Sequence, residues 1–250
     1  MEIYDYIYWG DYNKRMDELA TLTNEEWNYG TRTDNHILKK YMRHTYWKLE
    51  EEGKVIRTDS YTIFNTGLFT SIYEPIYVFA NKASEGYISD WIFAGFYTEY
   101  ELGHIGIYEL PERANYFQDP SLLIFDPNCK INVQYKHILE DEDNKRRLEE
   151  ILGENQNLIS LLRGEIEMMK LKVSANYKLA VPQYFNGKIQ LLLPLCLNDG
   201  VTPDLALVVT KNDSGNFYQG HTCLTIDMAY SNARLIAKPT TNWLLLAPTP

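Results

Sequence analysis

Three short stretches of the chain bring together residue types that can do chemistry at close spacing. The first is Phe64-Asn65-Thr66-Gly67-Leu68. Asn65 and Thr66 set two hydrogen-bonding side chains beside Gly67, which is free to adopt positive φ. Such a turn can present backbone N–H groups to an anion or a base. An Asx-type turn at a strand end is the structural alternative. The second, Asn176 to Phe185, places the Lys178 ammonium among the amides of Asn176 and Gln183 and the rings of Tyr177 and Tyr184. Amide, cation and aromatic ring suit a nucleotide or a single-stranded base better than a hydrophobic ligand. The same residues also read as a helix C-terminus with a dipole-favoured lysine and a proline stop. The third runs from Gly220 to Arg234, where His221, Asp227, Asn232 and Arg234 gather around one turn. Arg234 offers either a planar fork to a phosphate or an ion pair with Asp227 that holds the turn.

Familiar catalytic signatures are missing. The sequence has no GxxxxGK[ST] loop, no GxGxxG after a strand, no HExxH and no GxSxG. Its five histidines, His36, His44, His104, His137 and His221, show no i,i+4 pairing of the kind a helical metal site uses. No metal site is expected, and no cofactor is indicated.

These residues need elements to position them. Leu38, Tyr41, Met42, Thr45, Tyr46 and Leu49 recur at three- and four-residue spacing and predict a helix from about Asn35 to Glu51, capped by Asp34 and ended by Gly53. A weaker pattern covers Lys14 to Trp27. Strand-like runs follow at 54–57, 61–65, 76–80 and 91–97, with Thr58-Asp59-Ser60 as a turn. From Tyr108 to Asn132 the prolines predict a long irregular connection that either covers a site or hides short strands. Leu158, Leu162, Ile166, Met169 and Val173 predict a second helix over 157–174. Beyond it, 189–193 reads as a strand buried on both faces, ended or bulged at Pro194, and 205–210 and 217–226 as a hairpin around Asn212 to Asn216. Arg234 to Ala237 reads as a last strand. This order favours an α+β fold: a single domain with a mostly antiparallel sheet and helices packed on one side. Residues 1–34 read as an N-terminal helical extension and 35–250 as the domain proper.

Composition bounds the function. The chain has 250 residues, 45% hydrophobic and 23% charged, which excludes disorder and collagen-like fibres. Three cysteines without CxxC spacing argue against a disulfide framework and a structural zinc, and point to a reducing, cytoplasmic setting. No stretch approaches the roughly 18 apolar residues of a membrane span. Net charge is −10, but residues 155–250 hold eight basic and six acidic residues, so the whole acidic excess lies before them. An acidic chain cannot draw nucleic acid by its long-range field, and any contact must be small and local.

The segments FNTGL (64–68), NYKLAVPQYFNGKIQLLLPLCL (176–197) and GHTCLTIDMAYSNARLIAKP (220–239), with ILKKYMRHTYWKLEEEGKVI (37–56) and LPERANYFQDPSLLIFDPN (110–128), resemble the OST-HTH (LOTUS)-associated domain family. The resemblance covers about residues 35–245. It implies one domain of a bacterial type and an association with RNA; it implies no known reaction. No OST-HTH module fits in the first 34 residues, so an RNA-binding partner module, if one is needed, is expected on a separate chain.

The favoured expectation is an RNA-associated domain that recognises a nucleotide or single-stranded RNA in a compact cleft. Asn65 and Thr66 would act as polar readers, Lys178 and Arg234 would hold phosphate, and a tyrosine or Trp243 would stack, with Gly67, Asn176, Gln183 and Asn232 as further ligand-binding residues. Asn65, Lys178, Gln183, His221 and Arg234 should then line one cleft. The alternative is an enzyme acting on a nucleotide or RNA end, with His221 or Asp227 as acid or base. A third reading is a protein-interaction platform presenting its tyrosines.

Overall fold

The apolar positions of the first helix are the best guide to the first half of the molecule. Leu38, Tyr41, Met42, Thr45, Tyr46 and Leu49 are all buried, as their spacing requires. The computed structural model describes residues 2–153, 157–241, 243 and 244. These residues fold into two compact units, 2–115 and 116–244.

The first unit contains, in order, α1 (Ile3–Tyr6), β1 (Ile7–Tyr8), α2 (Tyr12–Leu22), α3 (His36–Glu51), β2 (Ile56–Arg57), β3 (Tyr61–Phe69), β4 (Pro75–Lys82), β5 (Trp91–Thr98) and α4 (Glu99–His104). Its sheet has the order β1-β5-β4-β3-β2 and is antiparallel except where β1 joins β5. Residues 2–34 are therefore built into this unit: Ile7 and Tyr8 pair with Trp91 and Ile92, and the Tyr6 hydroxyl meets that of Thr62 at 2.6 Å. The helical extension expected there is interrupted by a strand.

The N-cap of α3 is Asn35, not Asp34. Asn35 sits at φ +52, a region its short polar side chain tolerates, and its amide is spent on Asp17 at 2.8 Å. The Arg32 guanidinium holds the Asp34 carboxyl down at about 2. Gly53, at φ +66, terminates α3 as its sequence position suggests. On one face of the sheet Leu102 and Ile107 pack with Ile63, Tyr77 and Phe79. On the other, Tyr46 of α3 meets Phe64, with ring centroids 5.5 Å apart.

The second unit contains β6 (Lys130–Val133), α5 (Tyr135–Glu140), α6 (Glu142–Leu152), α7 (Leu158–Ala175), β7 (Val181–Phe185), β8 (Lys188–Leu195), β9 (Leu205–Lys211), β10 (Phe217–Thr225) and α8 (Ile226–Ala233). Its sheet has the order β6-β10-β9-β8-β7, with β6 parallel to β10 and the other pairs antiparallel. Strand alternation sends Leu191, Leu193, Leu195, Leu205, Leu207 and Val209 to one face, against Leu162, Ile166, Met169 and Val173 of α7 and Ile138 and Leu148 of α5 and α6. Truncating one of these to alanine would cost about 2–5 kcal/mol. The opposite face carries Gln183, Gln190, Leu192, Val208, Thr222 and Leu224, and α8 packs there against β7, β9 and β10.

The α+β class and the mostly antiparallel pairing hold. The strands form two sheets rather than one, and helices, expected on one side, cover both faces. The proline-rich connection hides one strand, β6, and at Phe125 it covers Tyr218 with ring centroids 4.7 Å apart. Pro194 does not end β8; it pairs with Ala206 on one side, and on the other β7 reaches only Leu192, so its missing N–H is tolerated. The strand expected at 234–237 is absent because β10 turns directly into α8 after Thr225. The acidic run 140–143 is a helix boundary: the Asp141 carboxylate caps α6 by accepting from the Asn144 N–H at 2.9 Å.

Candidate functional site

A two-residue hairpin forms the rim of a cavity in the second unit. Asn186 and Gly187 both have positive φ, +48 and +78, and Phe185 pairs with Lys188 across them. This is the loop that matches strand twist, and only residues tolerant of positive φ satisfy it. The register places Gln183 of β7 directly opposite Gln190 of β8. The Gln183 side chain donates to Gln190 at 2.8 Å, and Gln190 donates to the Thr210 hydroxyl of β9 at 2.9 Å. From α8 above, Asn232 donates to Gln183 at 3.1 Å. Four side chains on four elements form one relay. Gln183, 1% exposed, is its buried centre. Reversing every amide keeps the same bonds, so the relay holds the amides in position while allowing either polarity.

His221 enters from the side. Gly220 pairs with Val209 and Thr222 with Val208, so His221 is the extra residue of a β-bulge in β10. A bulge re-aims a side chain, and here the imidazole lines the same cavity as Gln183, Gln190, Thr222 and Asn232. Burial pushes the His221 pKa down, and the nearby His137 adds to this, which favours the neutral ring with one donor and one acceptor nitrogen. Thr222 is oriented from behind. The Cys223 backbone N–H can only donate, so the Asn144 atom facing it at 3.1 Å is the oxygen, and the Thr222 hydroxyl donates to that same oxygen. Thr222 can therefore only accept from an occupant. The cavity measures about 390 Å³, with Val208 and Leu224 as apolar floor and the exposed Phe185 and Lys188 at the rim. Fixed amides, a neutral imidazole, an exposed ring and one ammonium can hold a flat, neutral, hydrogen-bonding group next to a negative one.

The chain matches a domain of unknown function, DUF3825, over residues 19–243. It belongs to this family. No curated protein and no solved structure matches the chain. The pocket just described lies wholly within the DUF3825 match.

The other predicted residues fall elsewhere in this DUF3825 domain. In the first unit, the Asn65 carbonyl accepts from the Gly67 N–H at 2.8 Å while its amide donates to the Pro111 carbonyl at 3.3 Å. The Thr66 hydroxyl donates to the Ile76 carbonyl at 2.6 Å and accepts from the Leu68 N–H. Gly67, at φ +73, lies where a Cβ would come within 2.6 Å of the Tyr41 hydroxyl. These bonds hold an irregularity in β3 between Asn65 and Phe69. In the second unit, the Asn176 side chain accepts from the Lys178 N–H, opening a 3₁₀ turn at Tyr177–Leu179, and Lys178 is exposed beside a different cavity. Arg234 is 5% exposed and lines neither cavity. Asp227 also lies outside both, with the Thr225 hydroxyl donating to its carboxylate. The Trp243 indole donates to the Leu179 carbonyl at 2.8 Å. Within the second unit, Gln183, His221 and Asn232 therefore share a cavity, Lys178 lines a different one, and Arg234 lines neither.

Gln190, Thr222 and Lys188 were not singled out by sequence. The signal was present: Asn186-Gly187 between two strand-like runs fixes the hairpin, and counting outward from it pairs 183 with 190. Among the described residues no cluster of three His, Cys, Asp or Glu side chains is placed to hold a metal, and no helix is long and apolar enough to cross a membrane.

Proposed function

We propose that the second unit binds one base of a nucleotide or of single-stranded RNA in the cavity of Gln190, Thr222 and His221. The observation that carries this reading is the side-chain relay from Asn232 through Gln183 and Gln190 to Thr210. It holds amide groups at a fixed place in a cavity large enough for a base, with Phe185 positioned to stack and Lys188 to meet a phosphate. Gln183 is a positioning residue; Gln190, Thr222 and His221 would touch the base. The resemblance to OST-HTH-associated domains, an RNA partner and a separate RNA-binding module belong to the same reading. So does a cytoplasmic location, which suits three cysteines that form no disulfide.

The test is calorimetric titration of the protein with the four ribonucleoside monophosphates and with short single-stranded RNAs. Saturable binding that Gln190→Leu weakens at least tenfold supports the reading. Absence of binding to every nucleotide and RNA overturns it, and a stable complex on pull-down with no nucleotide affinity would favour the interaction platform instead.

One observation favours a second, enzymatic reading: the β-bulge turns the His221 imidazole into the cavity wall, and burial there shifts it toward the neutral form a general base requires. Turnover of labelled RNA or nucleotide, lost in His221→Ala, would establish it; unchanged ligand would dismiss it.

A further inference from the structure

A second cavity of about 540 Å³ borders the first in the same unit. No residue lines both, but their linings are adjacent along the chain. On β7 the base cavity is lined by Gln183 and the second by Pro182, and on α8 the lining passes from Asn232 to Ala233. Consecutive residues of a chain lie about 3.8 Å apart, so the two cavities are neighbours, with the hydrogen bond from Asn232 to Gln183 as the partition between them.

The chemistry of the second cavity differs. Lys178 and Lys238 contribute two exposed ammonium groups, and Tyr177 an exposed ring. Thr241 adds a hydroxyl whose oxygen is buried and has no hydrogen-bond partner. Two interactions shape this wall: the Asn176 side-chain oxygen accepts from the Lys178 N–H at 3.2 Å, and the Trp243 indole ties the segment after α8 to Leu179. Neutral amides lie on one side of the partition, and cations, a ring and an unsatisfied hydroxyl on the other.

We infer that the second cavity is the subsite for the next phosphate and base of the same strand, so that the ligand is single-stranded RNA of two or more nucleotides rather than a free mononucleotide. Lys178 and Lys238 hold the connecting phosphate, and Tyr177 stacks the following base. This rests on the base-binding reading above and extends it.

The experiment compares each ribonucleoside monophosphate with the matching homotetranucleotide RNA, on the full chain and on Lys178→Ala/Lys238→Ala and Tyr177→Ala. Both lysines and the tyrosine are exposed, so the variants should fold. The expected result is tetranucleotide binding at least tenfold tighter than the monophosphate. The double lysine variant should lose most of that gain, and its log–log salt slope should become shallower by about 0.7, the value for one phosphate contact on a single strand. Tyr177→Ala should weaken the tetranucleotide at least fivefold and leave the monophosphate unchanged. Monophosphate binding with no gain from the longer strand, or a gain that survives the lysine changes, overturns the second subsite and leaves the base cavity standing. No binding of either ligand overturns both.

Discussion

Replacing Gln183 by leucine tests whether the relay is an energetic unit. The side chain is 1% exposed and makes two side-chain hydrogen bonds, at 2.8 and 3.1 Å. Each such bond is worth about 1 kcal/mol net. The half-buried Gln190 can turn its abandoned oxygen to water, whereas Asn232 is buried, so losing its bond to Gln183 falls at the costly end of the range for such a bond. Gln183→Leu should therefore destabilise the second unit by about 2–3 kcal/mol, which for a chain of this size lowers Tm by roughly 4–12 °C. Gln190→Leu breaks one of the same bonds. The double variant should thus cost about 1 kcal/mol less than the sum of the two singles. Urea titration followed by amide hydrogen exchange in β7 and β8 reads this unit on its own. Nucleotide titration on the same variants reads the loss of positioning, because Gln183 need not touch the ligand for affinity to fall. Costs that add within about 0.4 kcal/mol would show that the amides do not act together. A stable Gln183→Leu protein with unchanged affinity would refute the positioning role altogether.

Other outcomes are expected. Gly67→Ala should cost about 2–4 kcal/mol, since its Cβ would meet the Tyr41 hydroxyl at 2.6 Å and positive φ is strained for alanine; adding Tyr41→Phe should recover part of this in thermal melts. Burial, with the charges of Lys40 and Arg43, pushes the His44 pKa down to about 4, so the unfolded chain takes up a proton before the folded one. Stability should therefore fall as pH drops from about 6.5 towards 4, and His44→Gln should flatten that slope in melts across the range. Burial pushes the Cys223 thiol up to about 12, so at pH 8 a thiol reagent should leave Cys223 unmodified in the folded protein and label it only on unfolding, as peptide mass mapping would read. Asn144→Leu should cost about 2–3 kcal/mol by freeing the Cys223 N–H and the Thr222 hydroxyl together, measured by urea denaturation.

Local pattern determined much of this protein. Helices α3 and α7 were legible because their apolar residues repeat at 3.6-residue period, and most strands because apolar runs stop at turn residues. Alternation, not composition, also set the two faces of β8. What was missed had a weak local signal: α6 is so charged that only Asn144 and Leu148 of it are buried, and α8 follows β10 without a break that Gly or Pro would mark. The Asn-Gly hairpin was in plain view, and reading it would have paired Gln183 with Gln190.

The candidate site is a different matter. Asn65, Thr66 and Gly67 have the residue types of a ligand-binding turn, yet their polar groups are taken up by Gly67, Leu68, Ile76 and Pro111, partners up to 46 residues away. Conversely, the relay joins residues 183, 190, 210 and 232, and no spacing in the chain marks that set. By itself the sequence determines which residues carry hydrogen-bonding groups and which faces of its elements are apolar. Only the tertiary structure decides whether those groups are spent within the fold or left facing a cavity, because a side chain's partners are chosen by register and packing between elements distant in sequence.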